Sequence, residues 1–332
     1  DPPLEAQQVL VRTELASGTH GTAMAIFDHR SFSGQRFDPE MRLFVEEGEA
    51  APQPTAPEYP RKMGTTGVGT VAAVGSAVRR WKIGDRVFGL MDTRETNICH
   101  EDQVWALGEL DPLLALCIEP AYVSIHCVRE AGVRYGDRVV VVGLGALGLL
   151  AVRMVREAGA ETLIAIDPLP KRRRLAEQYG ADHTLDPTAG DAALAVHRLT
   201  GGRGVDVAIE LSGVYPGLQT AIRCARVGGT VCSAGFYQGE GRGLWLGREW
   251  HHNRLTMIVP HGCGWGHPPR DYPGWDEQRA YECIVSMMRQ GRLTAPGLVN
   301  VVLSMEEATG VYQMIQEQPD EVIKYAVRFT PE

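Results

Sequence analysis

The sequence has little of what marks a secreted, disulfide-bonded protein. Its 332 residues include seven cysteines, an odd number, and these are scattered with no CxxC pair among them. Such usage argues against a disulfide framework and fits a reducing compartment, so we expect a cytoplasmic protein. The chain begins at Asp1 rather than Met, which suggests that the native N-terminus extends further.

Basic charge and long apolar runs are also scarce. Lys and Arg number 33 against 41 acidic residues, a formal net charge of -8. The one dense basic run, residues 171–174, falls in a helix-like segment where a solvated face is the simpler interpretation, so we expect no nucleic-acid partner. No apolar stretch reaches the length of a membrane span, and none follows a charged start as in a signal peptide, so we expect no membrane partner. A small molecule is the expected partner.

The chain has three stretches of different texture. Residues 1–119 contain short β-like runs broken by Gly and Pro, whereas residues 120–262 alternate apolar strands with helical patterns. In the second stretch the strands are nearly continuous Val and Ile and precede helices, which is typical of a parallel sheet buried on both faces. Residues 263–332 begin with a loop rich in Gly, Pro and aromatic residues, followed by two helical patterns and a strand. We therefore predict an α/β fold.

The segment VVVVGLGALGLL (139–150) predicts a phosphate-binding turn. It follows a strand, opens a helix and precedes a second strand that ends at Asp167, 19 positions after Gly148. Gly143 permits a tight turn, Gly145 lets the backbone approach a pyrophosphate, and Gly148 lets the helix pack against the strand. Asp167 would accept hydrogen bonds from the adenosine ribose and repel a 2′-phosphate. The predicted cofactor is therefore NAD; glycines that serve only helix–sheet packing are the alternative.

Further residues are expected around the cofactor. Leu147 lies within the turn, and Arg172 is close enough in sequence to the acidic residue to receive a 2′-phosphate, which keeps NADP open. Ser212, Gly235 and Phe236 follow the fourth and fifth strands of the parallel-sheet stretch. Residues at the carboxyl ends of parallel strands line the cofactor crevice, so we assign these three to it.

A set of motifs spans nearly the whole chain. They are ASGTHGTAM (16–24), MGTTGVGTVAAVG (63–75), WKIGDRVFG (81–89), IEPAYVSIH (118–126), the glycine turn, GGRGVDVAIELSG (201–213) and ARVGGTVCSAG (225–235). In combination they resemble the medium-chain dehydrogenase/reductase superfamily of zinc alcohol, sorbitol and threonine dehydrogenases and of quinone reductases. The resemblance implies a GroES-like β-barrel catalytic domain (1–119 and 263–332) into which an NAD-binding Rossmann domain with a parallel sheet (120–262) is inserted.

The sequence departs from this family where zinc members bind their metals. Their cysteine ligand is replaced by His20, and their Gly-His-Glu triplet reads Gly64-Thr65-Thr66. Threonine hydroxyls are poor zinc ligands compared with thiolate or imidazole. The four-cysteine structural lobe is also missing, since Cys99 stands alone in TRETNICHEDQ. We therefore predict no zinc at either place.

His20, Thr22 and Glu119 are candidates for a metal-free proton-transfer set. Oxidation of an alcohol by hydride transfer needs a base for the hydroxyl proton, and imidazole titrates near neutral pH. The resemblance implies that Thr22 matches the hydroxyl that relays the proton in zinc members, while Glu119 could orient His20 or stabilise its charge. The alternative is that His20 is an ordinary packed or capping residue of a turn.

Thr65, His261 and His267 are predicted to line the substrate pocket. For the two histidines the prediction follows from the resemblance, in which residues after Val259 lie near the nicotinamide. An ordinary loop, or a metal site formed by His261, Cys263 and His267, stays open as an alternative.

The leading hypothesis is a zinc-independent, NAD-dependent dehydrogenase that oxidises a secondary alcohol, such as a polyol, sugar or cyclitol. We expect a homodimer or homotetramer, by similarity to the family. One alternative is a metal-free NAD(P)H-dependent reductase of quinones or enones. Others are a dehydrogenase for the hydroxyethyl side chain of a larger pigment and a non-catalytic NAD-binding sensor.

Overall fold

The structure, a computed structural model, describes residues 3–19, 35–46, 63–237, 239–260 and 268–329. Its strands are β1 (Gln8–Ser17), β2 (Gln35–Asp38), β3 (Leu43–Glu46), β4 (Thr66–Val74), β5 (Arg86–Gly89), β6 (Thr96–His100), β7 (Val104–Ala106), β8 (Arg138–Val142), β9 (Thr162–Ile166), β10 (His183–Leu185), β11 (Val205–Glu210), β12 (Ala225–Ser233), β13 (Thr256–Ile258), β14 (Val299–Ser304) and β15 (Lys324–Arg328). Its α-helices are α1 (Pro112–Ala115), α2 (Ile118–Glu130), α3 (Ala146–Glu157), α4 (Pro170–Gln178), α5 (Ala192–Leu199), α6 (Tyr215–Cys224), α7 (Glu249–His252), α8 (Glu277–Arg289) and α9 (Val311–Glu317).

Six strands form a parallel sheet in the order β10-β9-β8-β11-β12-β13. The chain places β9 and then β10 on one side of β8. It then crosses the sheet and places β11, β12 and β13 on the other side. This reversal creates a crevice at the carboxyl ends of β8 and β11, the usual place for a ligand in such sheets. The three valines 139–141 of β8 are fully buried, as expected for a strand covered by helices on both faces. The predicted α/β class with a Rossmann sheet is confirmed.

The remaining large sheet joins the two ends of the chain. It runs β14-β15-β1-β4-β5-β7, and β6 also pairs with β1. Strand β15 lies antiparallel to β1 with Ala16 opposite Val327, and β4 lies on the other side of β1 with Ser17 opposite Thr66. The parallel sheet is thus inserted between strands that belong to one mainly antiparallel, GroES-like unit, in which β14 and β15 alone pair in parallel among the described strands, as the resemblance implied. The predicted domain limits at 119 and 262 stay a prediction.

Helix α2 connects the two sheets. It packs against α3 and α8, and its buried Ser124 donates a hydrogen bond to the carbonyl of Leu147 at 2.9 Å. The largest apolar cluster continues from these helices into β8 and β9. The start of α2 therefore has a fixed position relative to the glycine turn.

The C-terminal elements are shorter than the sequence pattern predicts. The helical pattern SMEEATGVYQMIQEQ gives a 3₁₀ turn, Ala308–Gly310, followed by the seven-residue α9. Strands β13 and β14 each form one edge of their sheets in the described part of the chain, and the expected homo-oligomer stays a prediction. Among the described helices, none has the length and apolar character needed to cross a bilayer.

The centre of the parallel sheet should dominate stability. Ile209 of β11 is fully buried and lies opposite Val141 on one side and Cys232 on the other. We expect Ile209→Ala to lower the free energy of unfolding by about 2–5 kcal/mol, because it leaves a cavity among strands that cannot close around it. Urea denaturation measures the change. Leu194→Ala, at a position 46% exposed on α5, is the control and should change stability by less than about 0.5 kcal/mol. Equal losses in the two variants would contradict this view of the core.

Candidate active site

The glycine turn sits at the point where the parallel sheet reverses. Gly143 has a φ of +88°, and a Cβ on it would lie 2.4 Å from the backbone nitrogen of Ser212. A Cβ on Gly148 would lie 1.8 Å from the carbonyl oxygen of Gly143. Both positions therefore require glycine for packing of the turn against the loop after β11 and of α3 against β8. Leu147 anchors the turn through its carbonyl, which accepts the hydrogen bond from α2.

Gly145 has a different environment from the other two glycines. It is the N-cap of α3, and a Cβ built on it would meet no described atom within 4 Å. The space beside it and the backbone N–H groups of the first turn of α3 suit an anion such as a pyrophosphate. The turn therefore fits the predicted dinucleotide, with Gly145 at the point of closest approach.

Asp167 follows β9 and is 4% exposed. Its carboxylate accepts a hydrogen bond from the backbone N–H of Leu144 at 2.8 Å and another from Leu169 at 2.8 Å. The side chain thus links the glycine turn to β9. Since each carboxylate oxygen has two lone pairs, one further hydrogen bond per oxygen is available to a ribose hydroxyl.

Arg172 lies beside this carboxylate, as its position in the sequence led us to expect. Its Nη1 is 3.9 Å from Oδ2 of Asp167, and its Nη2 donates to the carbonyl of Pro319 at 3.0 Å. Its Nε is buried and has no hydrogen-bond partner in the described part of the chain. Arg172 therefore partly balances the charge of Asp167.

The crevice residues after β11 and β12 are held by a carboxyl group that the sequence reasoning missed. Glu210 is fully buried and accepts hydrogen bonds from the backbone N–H of Ser212 at 2.7 Å and from the hydroxyls of Ser212 and Tyr237. Burial raises the pKa of Glu210, and these hydrogen bonds oppose the rise. A Cβ on Gly235 would lie 2.6 Å from this carboxylate, whereas Phe236 is largely exposed. The sequence contained one signal for this carboxyl group, because Glu210 is an acidic residue at the end of the largely apolar strand VDVAIE (205–210).

A second polar cluster forms where β1, β4 and α2 meet. The hydroxyl of Thr19 donates to Oε2 of Glu119 at 3.0 Å and lies 3.4 Å from the hydroxyl of Thr65. The backbone N–H of Thr65 donates to the carbonyl of Ser17 at 2.9 Å, which fixes it beside β1. Of the predicted catalytic and substrate residues, the structure brings Glu119 and Thr65 together; Thr19 is an addition that the sequence reasoning missed. All three are partly exposed.

A buried cation adjoins this cluster. Lys324, the first residue of β15, is 2% exposed, and its Nζ donates to the carbonyl of Gly18 at 3.2 Å. Burial raises the pKa of Glu119, while the charge of Lys324 and the hydroxyls of Thr19 and Thr65 lower it and limit the rise. Burial in turn lowers the pKa of Lys324, opposed by Cys117 and Glu119. The cluster therefore contains a carboxyl group and a lysine for which burial shifts the pKa towards the neutral form, while their opposite charges act against those shifts.

Four predicted residues, His20, Thr22, His261 and His267, lie outside the described residues. Their roles as base, proton relay and substrate-pocket lining stay predictions.

The described residues do not fit the catalytic zinc of the family that the sequence resembles. Thr66 is fully buried, and its hydroxyl donates to the carbonyl of Leu116 at 3.0 Å. Lys324 also acts electrostatically on Glu119, and a positive charge near this carboxylate disfavours a dication there. Burial also raises the pKa of the Cys117 thiol to about 12, which disfavours the thiolate that zinc would need. Within the described ranges no group of three or more His, Cys, Asp or Glu side chains could hold a metal ion.

Gly145 offers a test of the cofactor site. We expect Gly145→Ala to raise the Kd for NADH about tenfold or more, equivalent to about 1.4 kcal/mol, because its methyl group occupies the space for the pyrophosphate. The melting temperature should fall by a few degrees at most, since the methyl group meets no described atom and the remaining cost is that of alanine at an N-cap. Fluorescence titration and thermal denaturation measure the two quantities. The control is Gly190→Ala, at a glycine with equally open surroundings, which should change neither. Unaltered NADH affinity in Gly145→Ala would argue against a pyrophosphate at this turn.

Comparison with known proteins agrees with the fold and with a dinucleotide-binding turn. The family model described as the alcohol dehydrogenase GroES-like domain matches residues 5–133, and the one described as zinc-binding dehydrogenase matches residues 146–274. The chain is 31% identical to sorbitol dehydrogenase 1 from Saccharomyces cerevisiae over 311 residues, which cover 82% of this chain and 83% of that protein. Its fold matches that of a protein from Sinorhizobium meliloti 1021, described as a zinc-binding dehydrogenase bound to NADP, with a TM-score of 0.75, 23% identity and coverage of 99% and 94%.

The chain is also 32% identical over 336 residues to D-guloside 3-dehydrogenase from Escherichia coli (strain K12), which covers 99% of this chain and 95% of that protein. Similarity at this level over almost the full length shows the family. The chain belongs to the medium-chain dehydrogenase/reductase superfamily and is an alcohol or polyol dehydrogenase with a nicotinamide-binding Rossmann domain.

Proposed function

We propose that the enzyme oxidises a secondary alcohol of a polyol, sugar or cyclitol to the ketone, with NAD as the hydride acceptor and without a catalytic zinc. The observation that carries this proposal is the polar cluster of Thr19, Thr65 and Glu119 beside the buried Lys324. It offers hydroxyl and carboxyl groups for proton transfer at a place where, by the family resemblance, His20 and Thr65 replace a cysteine and a histidine ligand of zinc members. The names of the two relatives, a guloside and a sorbitol dehydrogenase, support a substrate rich in hydroxyl groups.

One helix connects this cluster with the cofactor turn. Glu119 lies in the first turn of α2, and Ser124 of the same helix donates to the carbonyl of Leu147 within the glycine turn. Five residues of α-helix span about 8 Å, so the first turn of α2, which carries Glu119, starts about that far along the helix from the contact with the glycine turn. This short, rigid connection supports proton transfer beside the nicotinamide ring.

The proposed chemistry separates a hydride from a proton. The glycine turn and Asp167 would hold NAD, which when bound would supply the acceptor for the hydride of the carbinol carbon. The hydroxyl proton of the substrate passes to His20, with Thr22 as the relay, and Glu119 stabilises the imidazolium that forms. Thr19 orients the carboxylate through its hydrogen bond, and Thr65 presents its hydroxyl to the substrate. No step requires a metal ion.

Asp167 accounts for the preference for NAD. Its carboxylate accepts a hydrogen bond from Leu144 in the glycine turn, and its charge would repel a 2′-phosphate on the adenosine ribose. Arg172 reduces this repulsion, but the carbonyl of Pro319 already accepts a hydrogen bond from one of its nitrogens. NAD is therefore the cofactor that the described side chains favour.

Turnover of a polyol panel tests the proposal. We expect NADH fluorescence to appear with at least one polyol, sugar or cyclitol, with a higher kcat/KM for NAD than for NADP. Protein purified without added metal should contain far less than one zinc per chain and keep its activity in a chelator. Stoichiometric zinc, or activity that a chelator abolishes, would refute the metal-free mechanism. Reduction of enones alone would favour the quinone reductase alternative, and NADH binding without any turnover would favour the sensor.

His20 is tested by replacement. We expect His20→Ala to lower kcat by about 10²–10⁴-fold, the range for loss of a positioned acid–base group, with little change in the Kd for NAD. His183→Ala, at an exposed position on β10, is the control and should keep both constants. Steady-state kinetics and fluorescence titration provide the values. Wild-type turnover in His20→Ala would remove His20 from the mechanism.

A further inference from the structure

Two loops of the cofactor crevice converge on the side chain of Glu210. This residue ends β11, is fully buried and uses both of its carboxyl oxygens. One oxygen accepts from the backbone N–H and the hydroxyl of Ser212, and the other accepts from the hydroxyl of Tyr237. Burying a carboxyl group is costly even when it is hydrogen-bonded, and an apolar side chain would fill the end of the strand without that cost. Packing alone therefore does not account for an acidic residue at this position.

One connection runs from Glu210 through Ser212 to the glycine turn. The backbone of Ser212 lies so close to Gly143 that a Cβ on the glycine would overlap it. On its other side Ser212 faces Gly217 of α6, where a Cβ would overlap the serine hydroxyl. Because the carboxyl group holds both the N–H and the hydroxyl of Ser212, it sets the position of the loop against which the phosphate-binding turn rests.

The other connection runs through Tyr237 to the loop after β12. The ring of Tyr237 stacks on that of Tyr215 with the centroids 5.3 Å apart, and the hydroxyl of Tyr215 donates to the carbonyl of Gly239 at 2.9 Å. A Cβ on Gly235 would overlap the carboxyl group, so this loop lies directly against it. The hydrogen bond between Tyr237 and Glu210 does not require an ionised carboxylate, because a phenol hydroxyl can donate or accept.

The two connections serve different parts of a bound dinucleotide. A dinucleotide lies across the point where the order of the strands reverses, with one mononucleotide half on each side. Asp167 follows β9, on one side of β8, and suits the adenosine ribose. Strands β11 and β12 lie on the other side, so the nicotinamide half extends towards the loop after β12. Ser212 therefore acts on the pyrophosphate that both halves share, whereas Tyr237 acts on the nicotinamide half.

We propose that Glu210 is a positioning residue for the cofactor: through Ser212 it fixes the glycine turn, and through Tyr237 it fixes the wall beside the nicotinamide half. Because Glu210 is fully buried, it acts through these two residues. The role involves no covalent or redox step. It rests on the nicotinamide-binding Rossmann domain of the family and goes beyond the proposed function, since it holds with or without a catalytic zinc.

Titrations with NADH and with ADP separate the two connections. We expect Tyr237→Phe to raise the Kd for NADH about five- to tenfold, the effect of one lost hydrogen bond, and to keep the Kd for ADP within about twofold of wild type. Ser212→Ala should raise both constants by similar factors, because the glycine turn serves both ligands. Tyr135→Phe, at a position 91% exposed, is the matched control and should change neither. Fluorescence titration measures NADH binding, and calorimetry measures ADP binding.

Variants of Glu210 test the role of the carboxyl group itself. Glu210→Gln keeps an acceptor for Ser212 and a donor for Tyr237, so its Kd for NADH should stay within about threefold of wild type. Glu210→Met has a similar length without these groups and should weaken NADH binding at least as much as Tyr237→Phe. Adding Tyr237→Phe to Glu210→Met should cause little further loss, because both changes remove the same hydrogen bond.

Two safeguards keep the test decisive. If thermal denaturation shows that Glu210→Met does not fold, Tyr237→Phe and Ser212→Ala decide the inference, since each removes only a hydroxyl group. NADPH takes the place of NADH if wild type binds it more tightly. If wild type oxidises no alcohol, the proposed function fails, while these binding constants still decide the role of Glu210.

Three results would overturn the inference. One is wild-type affinity for NADH in Tyr237→Phe. Another is a weakening of NADH and ADP binding by the same factor in Tyr237→Phe, which would indicate a general loosening of the domain rather than positioning of the nicotinamide half. The third is a pair of losses in Glu210→Met and Tyr237→Phe that multiply in the double variant, as for independent residues.

Discussion

The pairing of the first strand with the last is the constraint on which the active site depends. With Ala16 opposite Val327, the hydroxyl of Ser17 donates to the carbonyl of Tyr325 at 2.6 Å, and Lys324 reaches Gly18. A slip of one residue would turn every side chain of β15 to the opposite face of the sheet and move the lysine away from the site. The apolar residues that follow on β15 are buried, so such a slip would also expose core and is strongly disfavoured.

The parallel sheet imposes a similar constraint on the cofactor site. Gly143 follows β8 and Ser212 follows β11, two strands that are neighbours only because the chain crosses the sheet after β10. The contact between these residues leaves no room for a Cβ on Gly143. Glu210 then ties the loops after β11 and β12 together through hydrogen bonds. The crevice is therefore bounded by backbone and by polar side chains that already make hydrogen bonds within the protein. Its shape is thus set before the cofactor binds.

The electrostatics of the two regions share one principle. In each region, burial raises the pKa of a carboxyl group. A lysine and hydroxyl groups at Glu119, and several hydrogen-bond donors at Glu210, lower it. For Glu119 the compensation comes mainly from Lys324, which lies more than 200 residues away in the chain.

The sequence by itself determined the parallel sheet, the glycine turn and Asp167, because strand and helix periods and the spacing of a turn are properties of neighbouring residues. The family resemblance extended this to the inserted domain and to Glu119. Only the tertiary structure decided the partners: Thr19 meets Glu119 across 100 positions, and Lys324 meets Gly18 across 306. A charged residue within an apolar strand, as in VIKYAV or VDVAIE, requires a partner, and this signal was not used in the sequence analysis. Which residue it was depended on the register of strands far apart in the chain, and no local pattern specifies that register.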